Sequence, residues 1–304
     1  MLLAERKASQ KRIALKKALG SNGILRFPGA YSPLVAMLIQ EKGFDGVYIS
    51  GAVTANDLGL PDIGLTGASE LAHRGGQIAG SCDLPAIGDM DTGFGSPLNG
   101  ARTVRLLEEA GLAGAHIEDQ RMPKRCGHLD NKELIDAHEM IQKIKACAKA
   151  LKDSDFLLIA RTDARTVEGL DKAIERAKAY VDAGAQMIFP EALKDESEFE
   201  AFRKALPKIF LLANMTEFGK SEILSADRLE NLGYDMVIYP VTTMRLAMKA
   251  VEDGLDHLKT VGDQKGIISR MQERSRLYEL LRYKDYAHFD QGIANFDSSK
   301  KERG

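Results

Sequence analysis

Residues 156–192 read FLLIARTDARTVEGLDKAIERAKAYVDAGAQMIFPEA. An unbroken apolar run from Phe156 ends in the polar group Arg161-Thr162-Asp163, and a helical pattern then occupies Leu170 to Ala183. Ala183-Gly184 stops that pattern, as a glycine after the last helical turn does. A second apolar run begins at Gln186 and ends at Glu191. The unit is strand, helix, strand. Neither run alternates apolar with polar residues, which suits parallel strands covered on both faces.

The same unit repeats outward in both directions. Runs begin near Ile24, Gly46, Leu84, Gly114, Phe156, Gln186, Lys208 and Asp235, with helical patterns such as Ala101 to Ala110, Lys132 to Leu151 and Glu198 to Ala205 between them. Further glycine stops stand at Lys42-Gly43 and Ala110-Gly111. Eight strand-helix repeats predict an α/β fold, a (β/α)8 TIM barrel. A doubly wound open sheet is the alternative, but it carries Gly-x-Gly-x-x-Gly after its first strand, and no such turn is present. The expected organisation is one barrel domain over 1–304 with a C-terminal helical extension at about 255–290. Within the extension, Ser269 to Tyr283 has a helical pattern, and the polar tail Asp297 to Gly304 is expected to be disordered.

The 304 residues carry 42 Lys+Arg against 44 Asp+Glu, a formal charge of −2, with a pI near 6.3. No overall basic field exists to attract nucleic acid or an anionic membrane. The longest stretch free of charge, Phe27 to Gln40, has 14 residues and two prolines, too short to span a bilayer. Charges at Glu5, Arg6 and Lys7 stand where a secretory signal would be apolar, so a cytoplasmic location is expected. Cys82, Cys126 and Cys147 have no metal or disulfide spacing, so any cysteine chemistry is that of a single thiol.

Strand starts are separated by 22, 38, 30, 42, 30, 22 and 27 residues. The second and fourth connections are long. In a barrel such connections lie over the C-terminal mouth, where active sites form, although a surface insertion would also account for them. Two familiar motifs are excluded. Gly219-Lys220-Ser221 lacks the earlier glycine of a phosphate loop, which would be Asn214, and His138-Glu139 lacks the second zinc histidine, which would be Gln142.

Asp89-Met90-Asp91 follows a buried run, and the strand period of two sends both carboxylates to the same side. Glu118 at the next strand end and Asp62 on the long second connection can join them. Carboxylates without a histidine or thiolate cluster favour Mg²⁺, with Mn²⁺ as a substitute. The pair taken alone would equally serve as caps of the following segment. On the fourth connection, Lys124-Arg125-Cys126-Gly127-His128 surrounds one thiol with cations, which would lower its pKa from about 8.5. Isolated cysteines are more often small buried hydrophobes, and Cys82 and Cys147 are read so.

Other strand ends are polar too: Tyr48 with Ser50-Gly51-Ala52, Arg161-Thr162-Asp163, Glu191, Asn214-Met215-Thr216 and Arg245. Any one of them fits a loop or capping role; their agreement points to a shared site. Arg161, Arg245, Lys124, Arg125 and His128 around one metal suggest a small substrate with several carboxylates, because guanidinium groups match carboxylates bidentately.

Asp89 to Gly95 (DMDTGFG), His116 to Gln120 (HIEDQ), Lys124 to His128 (KRCGH) and Ala160 to Ala164 (ARTDA) together resemble the isocitrate lyase and phosphoenolpyruvate mutase superfamily. The resemblance runs from about Phe27 to Tyr286, and the cation before Cys-Gly-His matches its lyase branch. It implies a Mg²⁺-dependent carbon-carbon lyase, with cleavage of 2-methylisocitrate to pyruvate and succinate in the methylcitrate cycle of propionate catabolism as the activity. Lyases or decarboxylases of related 2-hydroxy and 2-oxo acids, and phosphonomutases, are the alternatives. It implies further that Ser50, Gly51 and Ala52 hold a substrate carboxylate, that Asp89 and Asp91 hold the metal, and that Asp62 and Glu118 reach it through water. Arg161, Glu191, Asn214, Thr216, Arg245 and Arg274 would complete the substrate site. Cys126 would be the general acid, and Tyr48 or Glu118 the base. Phe189, Ile238 and Pro240 would line a pocket for the extra methyl, or else form upper barrel core. Relatives in the superfamily exchange their last helix within a homotetramer, which would occupy the segment after Ser269. Ala52 departs from relatives that carry glycine.

Overall fold

A computed structural model describes residues 4–21, 23–128 and 131–295. Its strands are β1 (Leu25–Pro28), β2 (Val47–Ile49), β3 (Ala86–Asp89), β4 (Gly114–Glu118), β5 (Leu157–Thr162), β6 (Met187–Pro190), β7 (Phe210–Asn214) and β8 (Met236–Tyr239). All neighbours pair in parallel in the order β1-β8-β7-β6-β5-β4-β3-β2. A bridge between Gly29 and Tyr48, with Ala30 N donating to Tyr48 O at 2.9 Å, closes the ring. The expected eight runs thus become the eight strands of a (β/α)8 barrel.

The helices are α1 (Ala8–Leu19), α2 (Pro33–Glu41), α3 (Gly51–Asp57), α4 (Ala68–Ala79), α5 (Pro97–Glu109), α6 (Ala137–Ala150), α7 (Leu170–Asp182), α8 (Glu196–Ala205), α9 (Ala226–Asn231), α10 (Thr242–Val261), α11 (Arg274–Leu280) and α12 (Tyr283–Ala294). Strand side chains divide between two cores. Phe27, Tyr48, Ile87, Ile159, Met187, Phe189, Leu212, Met236 and Ile238 fill the barrel interior, with Leu15 and Leu19 of α1 packed into the same cluster. The alternate residues, such as Leu158, Ala160, Ile188, Leu211 and Val237, pack in the outer cluster with helix residues such as Ile144, Ala177 and Phe202. Burial on both faces explains why the runs do not alternate.

Several boundaries differ from expectation. Helix α6 starts at Ala137 rather than Lys132, because Asp136 caps it by accepting from His138 N at 2.8 Å. The pattern from Ser269 to Tyr283 divides into a 3-10 segment at Lys265–Arg270, then α11 and α12, which are separated at Arg282 by a left-handed residue (φ 55). The barrel's eighth helix is α10, and none of its residues is buried. Leu246, Met248, Val251 and Leu255 are exposed on it. The tail Asp297 to Gly304 lies outside the described residues. Among the described residues no helix is long and apolar enough to cross a membrane.

Candidate active site

Parallel register sets the polar groups of the mouth side by side. Asp89 pairs with His116, Glu118 with Arg161, and Arg161 with Phe189. The two-residue period then places Glu118, Arg161 and Glu191 one layer above the apolar interior. Asp91 follows β3 in a left-handed conformation (φ 45), and its carbonyl accepts from Glu118 N at 3.0 Å.

Asp89 and Asp91 converge on Gly51. A Cβ there would lie 2.8 Å from Asp89 Oδ2 and 3.1 Å from Asp91 Oδ1, so a methyl would displace the carboxylates. Gly51 N itself donates to Asp89 Oδ2 at 3.3 Å. Burial and the adjacent Asp89 charge push Asp91 up to about 7. Burial also opposes ionisation of Asp89, yet His116, Lys124 and Arg161 hold it below its ordinary value. Burial carries Glu118 well above the usual carboxylate range despite Arg161. Asp91 Oδ2 and Glu118 Oε1 are buried without partners, and Asp91 Oδ1 has only Lys124 Nζ, 3.0 Å away. Unpartnered buried carboxylate oxygens of this kind fit a divalent cation. Among the described residues no three Asp, Glu, His or Cys side chains close on one point as ligands. The protein's share would be the two converging carboxylates, with water or substrate oxygens completing the sphere, a normal arrangement for Mg²⁺.

The cation-rich segment does not act on its cysteine as expected. Lys124 Nζ donates to Asp62 Oδ1 and stands 3.0 Å from Asp91 Oδ1. His128 Nδ1 accepts from Lys220 N at 2.9 Å, and its Nε2 lies 3.0 Å from Glu191 Oε1. Arg125 is fixed through its backbone, which exchanges two 2.9 Å hydrogen bonds with the Gln120 amide. The cations therefore face carboxylates or solvent. Burial pushes the Cys126 thiol above its ordinary value, opposed by the His128 backbone N–H and by Arg161. The thiol is thus raised above its ordinary value by burial rather than lowered by the cations next to it in sequence. Cys82 and Cys147 are buried outside the mouth, and burial pushes Cys147 up to about 12.

Arg161 is gripped on three sides. Asp163 takes its Nε at 2.9 Å, Glu118 Oε2 lies 3.3 Å from Nε, and Glu191 Oε2 lies 3.2 Å from Nη1. Asn214 Nδ2 donates to Glu191 at 3.3 Å. Opposite, the Tyr48 hydroxyl lies 2.8 Å from His116 Nε2, and His116 Nδ1 lies 3.6 Å from Asp89 Oδ1. Burial and the Asp89 charge raise Tyr48 well above its ordinary value, and burial lowers His116. The Ser50 hydroxyl accepts from Val53 N at 3.3 Å and so caps α3.

The mouth brings together Tyr48, Ser50, Ala52, Asp62, Asp89, Lys124, Arg125, Cys126, Gly127, His128, Arg161, Phe189, Glu191, Asn214, Thr216 and Pro240 around a cavity of about 60 Å³. Met215 and Ile238 are placed in the two cores instead. Arg245 stands aside, its guanidinium 5.1 Å over Phe218 and 3.8 Å from Glu217. Arg274 is exposed at the start of α11, away from this lining. A larger groove of about 770 Å³ between α2 and the C-terminal extension, lined by Met37, Cys82 and Leu280, gathers no comparable set of buried charges.

Sequence reasoning put Asp163 at a polar strand end without a role of its own, and missed His116 and Lys132. His116 was legible, since it stands two residues from Glu118 on the same strand face. Lys132 had no local signal.

Residues 15–259 match the family model of phosphoenolpyruvate phosphomutase. The chain is 58% identical over 287 residues to the probable 2-methylisocitrate lyase 1 of Corynebacterium glutamicum, covering 94% of each protein. It is 45% identical to the 2-methylisocitrate lyase of Bacillus subtilis, covering 96% of this chain and 97% of the relative. Phosphonopyruvate hydrolase, solved with oxalate and Mg²⁺, superposes with a TM-score of 0.83 at 28% identity, over 96% of this chain and 99% of that one.

Proposed function

The chain belongs to the phosphoenolpyruvate phosphomutase family, and from that membership and its mouth chemistry we propose that it is a carbon-carbon lyase cleaving 2-methylisocitrate to pyruvate and succinate. The observation that carries this reading is the half-buried Cys126 set beside Arg161 and Glu191 in a mouth floored by Asp89 and Asp91.

Mg²⁺ held by Asp89 and Asp91, with Asp62 and Glu118 reaching it through water, would supply positive charge for the hydroxy-acid end of the substrate; Mn²⁺ would substitute. The rest follows from the chain's own groups. Ser50, Gly51 and Ala52 hold the neighbouring carboxylate, and Arg161, Asn214 and Thr216 hold the other end, with Arg245 and Arg274 closing from outside. Tyr48 takes the hydroxyl proton as its own proton passes to His116 Nε2, because a free tyrosinate beside Asp89 is costly. Glu118 is the alternative base. The carbon-carbon bond breaks, its electron pair stays on the succinate fragment, and the Cys126 S–H protonates that carbon. Lys124, Arg125 and His128 offset charge around the site. A 60 Å³ cavity is far below the roughly 300 Å³ of small-molecule sites, so the Cys126 segment moves to admit substrate and closes again to exclude water.

The uncovered α10 supports assembly of one barrel domain into a homotetramer, with α10 and the extension behind it packed on a neighbouring copy. The deciding experiment measures pyruvate release from isocitrate, 2-methylisocitrate, dimethylmalate and oxaloacetate, with and without Mg²⁺. Activity on 2-methylisocitrate alone or foremost is expected; turnover of only another acid overturns the substrate assignment.

A further inference from the structure

Lys132 carries a charge into a place where nothing in the reaction calls for one. Its side chain is 1% exposed, and its ammonium has two partners on different parts of the chain. Nζ donates to the carbonyl of Gly127 and, at 2.8 Å, to Asp163 Oδ1. Asp163 is in turn fixed to the barrel, since its backbone N donates to Asp119 Oδ1 at 2.9 Å and its carboxylate takes the Arg161 fork. Burying an ammonium is costly unless it is paired and hydrogen-bonded, so its two bonds are strong constraints.

Gly127 is the residue these bonds constrain. A Cβ there would fall 2.4 Å from Arg161 Nη2 and 2.5 Å from Glu191 Cγ, so its backbone lies directly on the two groups that face Cys126. On the other side of the cysteine, Arg125 is held by the Gln120 amide. Cys126 thus sits between a neutral anchor and a charged one.

We propose that Lys132 is the positioning residue of the Cys126 segment: it ties the Gly127 carbonyl to Asp163 and thereby sets the thiol over Arg161 and Glu191. Lys132 touches neither substrate nor reacting atoms. The inference rests on the assignment of Cys126 as the acid, but the placement of the thiol can be tested without any substrate.

The test compares wild-type enzyme with Lys132→Met and Lys132→Arg, reading alkylation of each cysteine by iodoacetamide through mass spectrometry, together with kcat and KM. A charge-assisted bond of this kind shifts a local equilibrium about ten- to a hundredfold. Alkylation of Cys126 in Lys132→Met should rise by about that factor while Cys82 and Cys147 stay at wild-type rates. kcat should fall further than KM rises, and Lys132→Arg should recover part of both effects. Unchanged Cys126 alkylation, an equal rise at all three cysteines, or Lys132→Arg no better than Lys132→Met overturns the proposal. Should Lys132→Met not fold, Lys132→Gln, which keeps a donor for Gly127 but not the ion pair, takes its place: a selective rise at Cys126 supports the proposal, and no rise or a uniform one overturns it. A wild type inactive on every hydroxy acid would sink the lyase reading and leave the alkylation contrast intact.

Discussion

Lys124 holds its ammonium 3.0 Å from Asp91 Oδ1, with Asp62 bound to the same nitrogen. The cation two residues from Cys126 therefore serves the carboxylates, and burial raises the thiol above its ordinary value.

Chelation should abolish activity and Mg²⁺ restore it. Gly51→Ala places a methyl 2.8 Å from Asp89 Oδ2, which should weaken Mg²⁺ binding by roughly 10- to 100-fold, the scale for disturbing groups that orient metal ligands. Calorimetric titration of Mg²⁺ into both proteins measures it. Equal affinities would show that the two carboxylates do not share an ion.

Cys126→Ser exchanges the thiol for a far weaker acid, and kcat should fall by roughly 10² or more with substrate binding retained. Cys82→Ser should turn over normally. Because burial raises the Cys126 pKa, the protonated form persists through neutrality. The alkaline limb of the kcat profile should therefore lie above the ordinary thiol value of about 8.5. A limb near pH 7 would mean that the thiol titrates as a stabilised thiolate after all.

Glu191 is opposed by burial but held at about 2 by Arg161 and His128. A carboxylate depressed in the folded state stabilises it above its unfolded pKa, near 4.3, and that contribution disappears as pH falls through the folded value. Wild type should lose stability between about pH 4.3 and 2, and Glu191→Gln should lose less over that window. Acid titration of thermal midpoints for both proteins checks the sign.

Val251 and Leu255 lie on one face of the uncovered α10. Leu255→Glu should break the assembly, as should a chain cut before Ser269. Sedimentation of the wild type as a monomer at micromolar concentration would refute an interface there.

Phe189 and Pro240 line the cavity, whereas Ile238 belongs to the barrel interior beneath it. One methyl in an apolar pocket is worth about 1 to 3 kcal/mol, or roughly 10- to 200-fold. kcat/KM for 2-methylisocitrate should exceed that for isocitrate by a factor in this range. Equal values would remove the methyl pocket and leave the lyase chemistry standing.

The barrel and much of its mouth were present in the sequence because both depend on short-range periodicity. Apolar runs without alternation require strands covered on two faces, and a period of two decides that Asp89, Glu118, Arg161 and Glu191 share one end. What the sequence could not determine is which charges meet. Lys124 was adjacent to Cys126 along the chain, yet the fold turned it to Asp62 and Asp91, contributed by other connections. Lys132 read as the start of a helix until Asp136 took the cap and freed it to reach Asp163. The uncovered α10 likewise looks like any amphipathic barrel helix in sequence. Its exposure is decided by long-range packing, because the partners of a charge or an apolar face are chosen by distance in three dimensions rather than along the chain.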